Sequence, residues 1–269
     1  MIGNLLKYAV LGLIGLIVLI AVIASPFIIK ARMEGERLFS MYDEYTRDIL
    51  KNNFQLKNHS IKAEFQTLHP WKALKLFKIV VNSQTGEKTA RVNSLNATMG
   101  IFMKMYTLLI RPDYNYNLPM FSVDFIFVGG KRVCVVEIID PARIEDDNIK
   151  IHYDKMRSRL PEVQKFEPMD VNMDWCKDIV TDFSLHFKGD RTDDDLIFDI
   201  YKTYLTAYLD MAKNAQPLTP EMSKKVQKGM EGYVGSLLAN GGPAVNVFKT
   251  LLGPEKQKEY VRTVMFGVD

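Results

Sequence analysis

The chain has 269 residues, 47% of them hydrophobic and 25% charged, and its 35 Lys and Arg against 32 Asp and Glu leave a net charge of +3. So small a margin, with no basic run interleaved with aromatics, excludes a nucleic-acid-binding surface. Two cysteines, Cys134 and Cys176, with no CxxC and no histidine at ligand spacing exclude a structural zinc or iron–sulfur site and fit a reducing compartment.

The N-terminus opens with an uncharged apolar run from Ala9 to Ile29, bracketed by Lys7 and by Lys30 and Arg32. A secretory leader has an apolar core of roughly 7 to 15 residues, whereas this run is long enough for a hydrocarbon core of about 30 Å, so it is predicted to span a membrane. One basic residue precedes the run, and Lys30, Arg32 and Arg37 follow it, which places the remainder on the cytoplasmic, stromal or matrix side. Beyond the anchor lie about 235 residues, enough for one large domain. The organisation expected is an anchor over 1–30, a juxtamembrane helix over 31–55 and one domain over 56–269. In that helix Leu38, Met41, Tyr42, Tyr45 and Ile49 recur at helical spacing, so it leaves the membrane directly.

From Ile61 to Val136 short apolar segments alternate with turn chemistry: Asn82-Ser83-Gln84-Thr85-Gly86, Arg111-Pro112-Asp113, and Gly129-Gly130 between two strands. Sequential strands joined by short turns predict an antiparallel sheet and argue against a doubly wound nucleotide fold. Within the sheet, Leu118-Pro119-Met120-Phe121-Ser122-Val123-Asp124 leads a strand in which Phe121, Val123, Phe125 and Phe127 share one face. Ser122, Asp124, Ile126 and Val128 share the other. Asp124 therefore sits among apolar neighbours, where desolvation favours its protonated form. Such an acid can give a proton to a ligand, or it can satisfy buried backbone amides; the strand alone leaves both open.

The last third is helical. Thr192 before Asp193, Asp194 and Asp195 reads as an N-cap with acids in the first turn, and Leu196, Ile197, Ile200, Tyr204, Leu205, Tyr208 and Leu209 form one apolar face. Thr219-Pro220 opens a second helix that ends near Asn240-Gly241-Gly242, and a pair follows over Val245 to Leu252 and Glu255 to Met265, divided by Gly253-Pro254. The fold class expected is α+β: an α/β/α sandwich with a central antiparallel sheet flanked by helices, behind one transmembrane helix. No GxGxxG follows a strand, and no Walker loop, HExxH or GxSxG elbow occurs. His59, His69, His152 and His186 are scattered, and each reads as a surface or satisfied core residue. Tyr106, Tyr114, Tyr116, Phe121, Phe125 and Phe127 can line a flat apolar pocket or fill the core.

The segment Arg111-Pro112-Asp113-Tyr114-Asn115-Tyr116-Asn117-Leu118-Pro119-Met120-Phe121-Ser122-Val123-Asp124 resembles the central signature of ferredoxin-dependent bilin reductases. The resemblance continues through Val135 to Pro141, through Trp175 with Phe183 to Phe187, and through Val247 to Gly253 with Tyr260, Val264, Met265 and Phe266. It implies a sandwich holding a linear tetrapyrrole between the sheet and the C-terminal helices. It also implies reduction of a biliverdin-type bilin with electrons from ferredoxin, no metal or flavin of the protein's own, and protons from protein acids. Asp124 matches the family's central proton-donating Asp, and Lys188 falls where the family places an Arg for a ligand propionate. Thr107 falls where the best-studied branch has a catalytic His, with Tyr106 beside it as a ligand-binding residue together with Phe121. That branch's Glu falls near Asn93 or Leu95, and no acid occurs between Glu87 and Asp113. The C-terminal acid of other branches falls within Asn240-Gly241-Gly242.

Two functions follow as expectations. One is a membrane-anchored bilin reductase with Asp124 as proton donor and water or Tyr106 as the second source. The other is a fold relative without catalysis, serving as a binding or structural subunit of a photosynthetic or respiratory membrane complex.

Overall fold

The computed structural model describes residues 2–69, 77–100, 102–144, 146–169, 174–241 and 243–268, side chains being described from Ser25 and, in the last segment, from Val245. Among these residues nine strands make one antiparallel sheet: β1 (Lys57–Asn58), β2 (Thr67–Leu68), β3 (Phe77–Thr85), β4 (Thr89–Met99), β5 (Met103–Pro112), β6 (Met120–Val128), β7 (Lys131–Ile139), β8 (Glu167–Pro168) and β9 (Leu185–Asp190). The order is β1-β3-β4-β5-β6-β7-β9-β8, with β2 pairing β3. From β3 to β7 neighbours in sequence are neighbours in space, as the short turns predict. Gly129, at φ +56°, takes the left-handed conformation that turns β6 back into β7, and Val128 then faces Lys131.

Strand alternation divides the sheet into two faces. Tyr106, Leu108 and Ile110 of β5, Phe121, Val123, Phe125 and Phe127 of β6, and Cys134, Val136 and Ile138 of β7 are buried against one helical layer. That layer contains α1 (Ile2–Asn53), α3 (Asp147–Arg157) and α5 (Asp194–Asn214). Each Phe on this face is nearly or fully enclosed, a contribution of about 2–3 kcal/mol per side chain. On the other face Leu95, Ala97, Leu109, Met120 and Ile139 meet Val226, Met230, Tyr233 and Val234 of α6 (Pro220–Asn240), together with Val245 and Phe248 of α7 (Pro243–Leu252). Beyond α7, α8 (Pro254–Glu259) runs into a π-helical turn (Tyr260–Phe266) whose Tyr260, Val264 and Phe266 complete this layer. Two minor helices, α2 (Ala63–Gln66) and α4 (Leu160–Val163), sit at the periphery. The architecture is the expected antiparallel sheet between helical layers.

Several boundaries differ from the sequence reading. The helix expected as a separate juxtamembrane element over 31–55 is the C-terminal part of α1, and Leu38, Phe39, Tyr42 and Leu50 bury it in the core. Glu34 ties it down further, because Arg132, only 1% exposed, donates to Glu34 at 2.5 Å and to Asp194 at 2.6 and 3.0 Å. No helix among the described residues is long and apolar enough to cross a membrane, and residues 9–24 of the span predicted over Ala9 to Ile29 lie outside the residues whose side chains are described. The cap before α5 is Asp190 rather than Thr192. Asp190 Oδ1 accepts from the Thr192 backbone N–H while Asp193 Oδ2 accepts from the Asp190 N–H, a reciprocal box around a 3₁₀ turn. Thr219 caps α6 as expected, its hydroxyl accepting from Met222 N–H.

Candidate active site

Asp124 lies at the centre of the sheet, and its register fixes what surrounds it. It stands directly opposite Thr107 on β5 and Val135 on β7, and Val135 stands opposite His186 on β9. Thr107, Asp124, Val135 and His186 thus form one rung across four strands, all pointing toward α6. The adjoining rung carries Leu109, Ser122 and Glu137. Thr107 Oγ1 donates to Asp124 Oδ1 at 2.5 Å, and His186 Nε2 lies 2.9 Å from Glu137 Oε1. When Glu137 is the carboxylate it can only accept, and Nε2–H is then the donor of that bond.

The two faces of these strands are packed unequally. Along β6 and β7 the residues facing α1 and α5, from Phe121 to Phe127 and from Arg132 to Ile138, are buried. The alternating partners Ser122, Asp124, Ile126, Val128, Val133, Val135 and Glu137 are only half-buried, and so is His186. Here the α6 face leaves an apolar floor of Ile126, Val133 and Val135 bearing two carboxyls and an imidazole. Tyr233 of α6 stands beside it, with Trp175 at a ring separation of 5.6 Å and Phe266 at 6.1 Å.

The electrostatics follow from that setting. Burial pushes the Asp124 carboxyl up to about 7 against the downward pull of the Thr107 hydrogen bond, and the negative charge of Glu137 adds to the rise. A substantial share of Asp124 therefore carries a proton near neutrality. Tyr233 is held well above the usual phenol range, first by burial and then by the charges of Glu137, Cys176 and Asp124. The Cys176 thiol is pushed up to about 11 by burial and by Glu137. These mutual influences require proximity, so Asp124, Glu137, Cys176 and Tyr233 form one electrostatic cluster.

Of the residues singled out in the sequence, the structure brings Thr107 to Asp124 and separates the others. Tyr106 and Phe121, expected as ligand-binding residues, are each displaced by an odd number of residues from Thr107 or Asp124, so each points to the opposite face. Tyr106 is fully buried there and donates to Thr46 Oγ1 at 2.7 Å, while Phe121 packs on Tyr208 at a ring separation of 5.2 Å. Neither can touch a ligand seated over Asp124. Lys188 shares the face of His186 but lies toward the rim, where Nζ donates to Glu167 at 2.7 Å. Asn93, near the position where the resemblance implies an acid, is buried and donates to the Val264 and Met265 carbonyls, pinning the π-helical turn. Asn240 and Gly241 close α6, with Gly241 at φ +76°; residue 242 lies outside the described residues. His186, read as a surface or core residue, and Glu137, not singled out at all, are the additions. Glu137 carries a related signal, a lone acid in the apolar run Val133 to Ile139. Nothing in the sequence paired it with His186.

Comparison with known proteins agrees with this architecture. The family model described as "Ferredoxin-dependent bilin reductase" matches residues 43–267. A phycoerythrobilin:ferredoxin oxidoreductase of Gloeobacter violaceus is 24% identical over 245 residues, covering 86% of this chain and 96% of the relative. One of Prochlorococcus marinus is 23% identical over 242 residues, with 84% and 93% covered. Among solved structures, tomato phytochromobilin synthase in complex with biliverdin superposes with a TM-score of 0.69 at 15% identity, over 85% of this chain and 83% of that one.

Proposed function

The chain belongs to the ferredoxin-dependent bilin reductase family, and on that premise we propose that it binds a biliverdin-type linear tetrapyrrole over the α6 face of the sheet and reduces it with ferredoxin as electron donor. The observation that carries this reading is the half-open central face with Asp124 at its middle. A conjugated, flat ligand gains from the apolar floor of Ile126, Val133 and Val135, and its pyrrole nitrogens and carbonyls gain from the polar groups set into that floor. The substrate takes two electrons, one from each of two reduced ferredoxins, and two protons. Asp124, protonated in part near pH 7 and oriented by Thr107, supplies one of those protons.

We further propose that the Ala9–Ile29 segment tethers the protein to a membrane with its domain on the cytoplasmic, stromal or matrix side. Phe27, Ile29 and Met33 are exposed on α1 beside Lys30 and Arg32, which supports the reading, and the buried Glu34–Arg132 pair would transmit the helix direction rigidly to the sheet. Retention of the full chain in the membrane fraction after an alkaline wash is expected; release into the supernatant would refute the tether.

The test of the reaction is an absorption titration of the full chain with biliverdin, followed by anaerobic addition of reduced ferredoxin. A shifted spectrum on binding and a second change on reduction are expected. Asp124→Asn should keep the first and lose turnover by about 100-fold or more. Unchanged turnover would remove Asp124 as the donor.

A further inference from the structure

We propose that the His186–Glu137 pair is the second proton source of the reaction, an inference that rests on the bilin-reductase reading above. Three features of the molecule support it. The reduction needs two protons, and Tyr106, which the sequence offered as a candidate second donor, lies on the wrong face of the sheet in a closed hydrogen-bond group with Thr46 and Tyr201. His186 occupies the same rung as Asp124, with only Val135 between them, so the two side chains project to one side of the sheet about two strand spacings apart, roughly 10 Å. That distance lies within the reach of an extended ligand of several conjugated rings, so the two donors can serve different atoms of one substrate.

The pair also has the form that proton transfer requires. Glu137 lies 2.9 Å from Nε2, which fixes the ring and would balance the charge of the imidazolium in the proton-donating form, where Nδ1–H is the hydrogen left to give. When the reduced substrate takes that proton, the Nδ1–H bond breaks, the new bond forms on the ligand, and neutral imidazole remains beside the Glu137 carboxylate. Both side chains are 16% exposed, so the ring reloads from water at the open face. Asp124 loses its O–H to the other position. Two electrons from two reduced ferredoxins and two protons, one from each donor, balance the reduction of one double bond.

The experiment compares the full-length wild type with His186→Gln, Glu137→Gln and the double variant, measuring biliverdin affinity by absorption titration and turnover with reduced ferredoxin. Gln at 186 keeps an N–H donor toward Glu137 and removes the protonatable ring; His186→Asn serves if that variant fails to fold. His186→Gln is expected to lower kcat by about 30-fold or more with Kd within about twofold. Glu137→Gln should lower kcat in the same direction, and the double variant should be no slower than His186→Gln alone, because the two act as a unit. With an active wild type, a kcat within about threefold in His186→Gln, losses that multiply in the double variant, or a Kd that rises in step with the fall in kcat would overturn the pair's role while leaving the bilin-reductase reading intact. A wild type that neither binds nor reduces the bilin would overturn that reading, and this inference with it.

Discussion

Replacing Asp124 by Asn should stabilise the folded chain, and by an amount that grows with pH. The carboxyl is held at about 7 in the fold against 3.8 for an unperturbed aspartate, chiefly by burial. Below about pH 4 it is protonated in both the folded and unfolded states and costs nothing. Between about pH 4 and 7 the folded state keeps a proton that the unfolded chain has released, so stability falls as pH rises. Above about pH 7 both are ionised and the full cost stands. A displacement of about three units corresponds to about 4 kcal/mol, of which about 1.7 is present at about pH 5 and about 2.7 more develops by about pH 8.5. Water at the open face screens part of this, so the gap between Asp124→Asn and wild type is expected to widen by about 1–3 kcal/mol across that interval. Asn preserves shape and an acceptor for the Thr107 hydroxyl, so the comparison isolates the charge. Urea unfolding followed by far-UV circular dichroism at the two pH values measures it. A gap that stays constant within about 0.3 kcal/mol would refute the argument, since Asp124 would then ionise as it does in the unfolded chain.

Thr107→Val removes the hydrogen bond that draws the Asp124 carboxyl downward, so its titration by carbon-13 NMR should move above about 7; a downward move would contradict the assigned partner. Arg132→Met strips the buried cation from Asp194 and Glu34 and should cost about 3 kcal/mol in urea unfolding, the low end for a broken buried pair because Arg191 still holds Glu34 and Arg37 lies 3.6 Å from Asp194. A loss below about 1 kcal/mol would show that the pair is solvated. Gly229→Ala places a Cβ 2.6 Å from Pro141 Cβ, so α6 must shift away from the end of β7. Thermal unfolding should show net destabilisation of about 1–2 kcal/mol despite the better helix propensity of Ala, and a higher Tm would exclude the close approach.

The parts of the fold legible in the sequence are those whose signals are local. Alternation from Met120 to Val128, the Gly129-Gly130 turn and the Thr219-Pro220 helix start each depend on a few adjacent residues, and each appears where it was expected. The helix α3 carries only a weak sequence signal: Asp146 caps it and Ile149, Tyr153 and Met156 recur on one face, but its other positions are polar and its apolar stripe is short. The site was legible only along single strands. Alternation placed Asp124 and Phe121 on opposite faces, which already excluded Phe121 from any ligand over Asp124. The pairing of Glu137 with His186 depends on the register of β7 against β9, strands separated by α3, α4 and β8, and no local pattern encodes such a register.

The two faces of the sheet are packed unequally, and the face toward α1 and α5 is the one that carries stability. Toward α1 and α5 the aromatic side chains Tyr42, Phe125 and Tyr201 lie with ring separations of 4.6 to 5.4 Å, and Thr46 joins the hydroxyls of Tyr106 and Tyr201 in a closed group. Close packing and satisfied polar atoms make that side rigid, and truncating any of these rings should cost about 3–5 kcal/mol. On the α6 side the floor around Asp124 is half-open, and the acid there is held at a cost to folding that a purely structural strand would avoid by carrying Val or Thr. The rigid layer can bear that cost because it fixes β5, β6, β7 and β9 in register from behind. The rung Thr107, Asp124, Val135 and His186 is then presented in one geometry by strands held from the packed side, and the proposed substrate face needs no further support of its own.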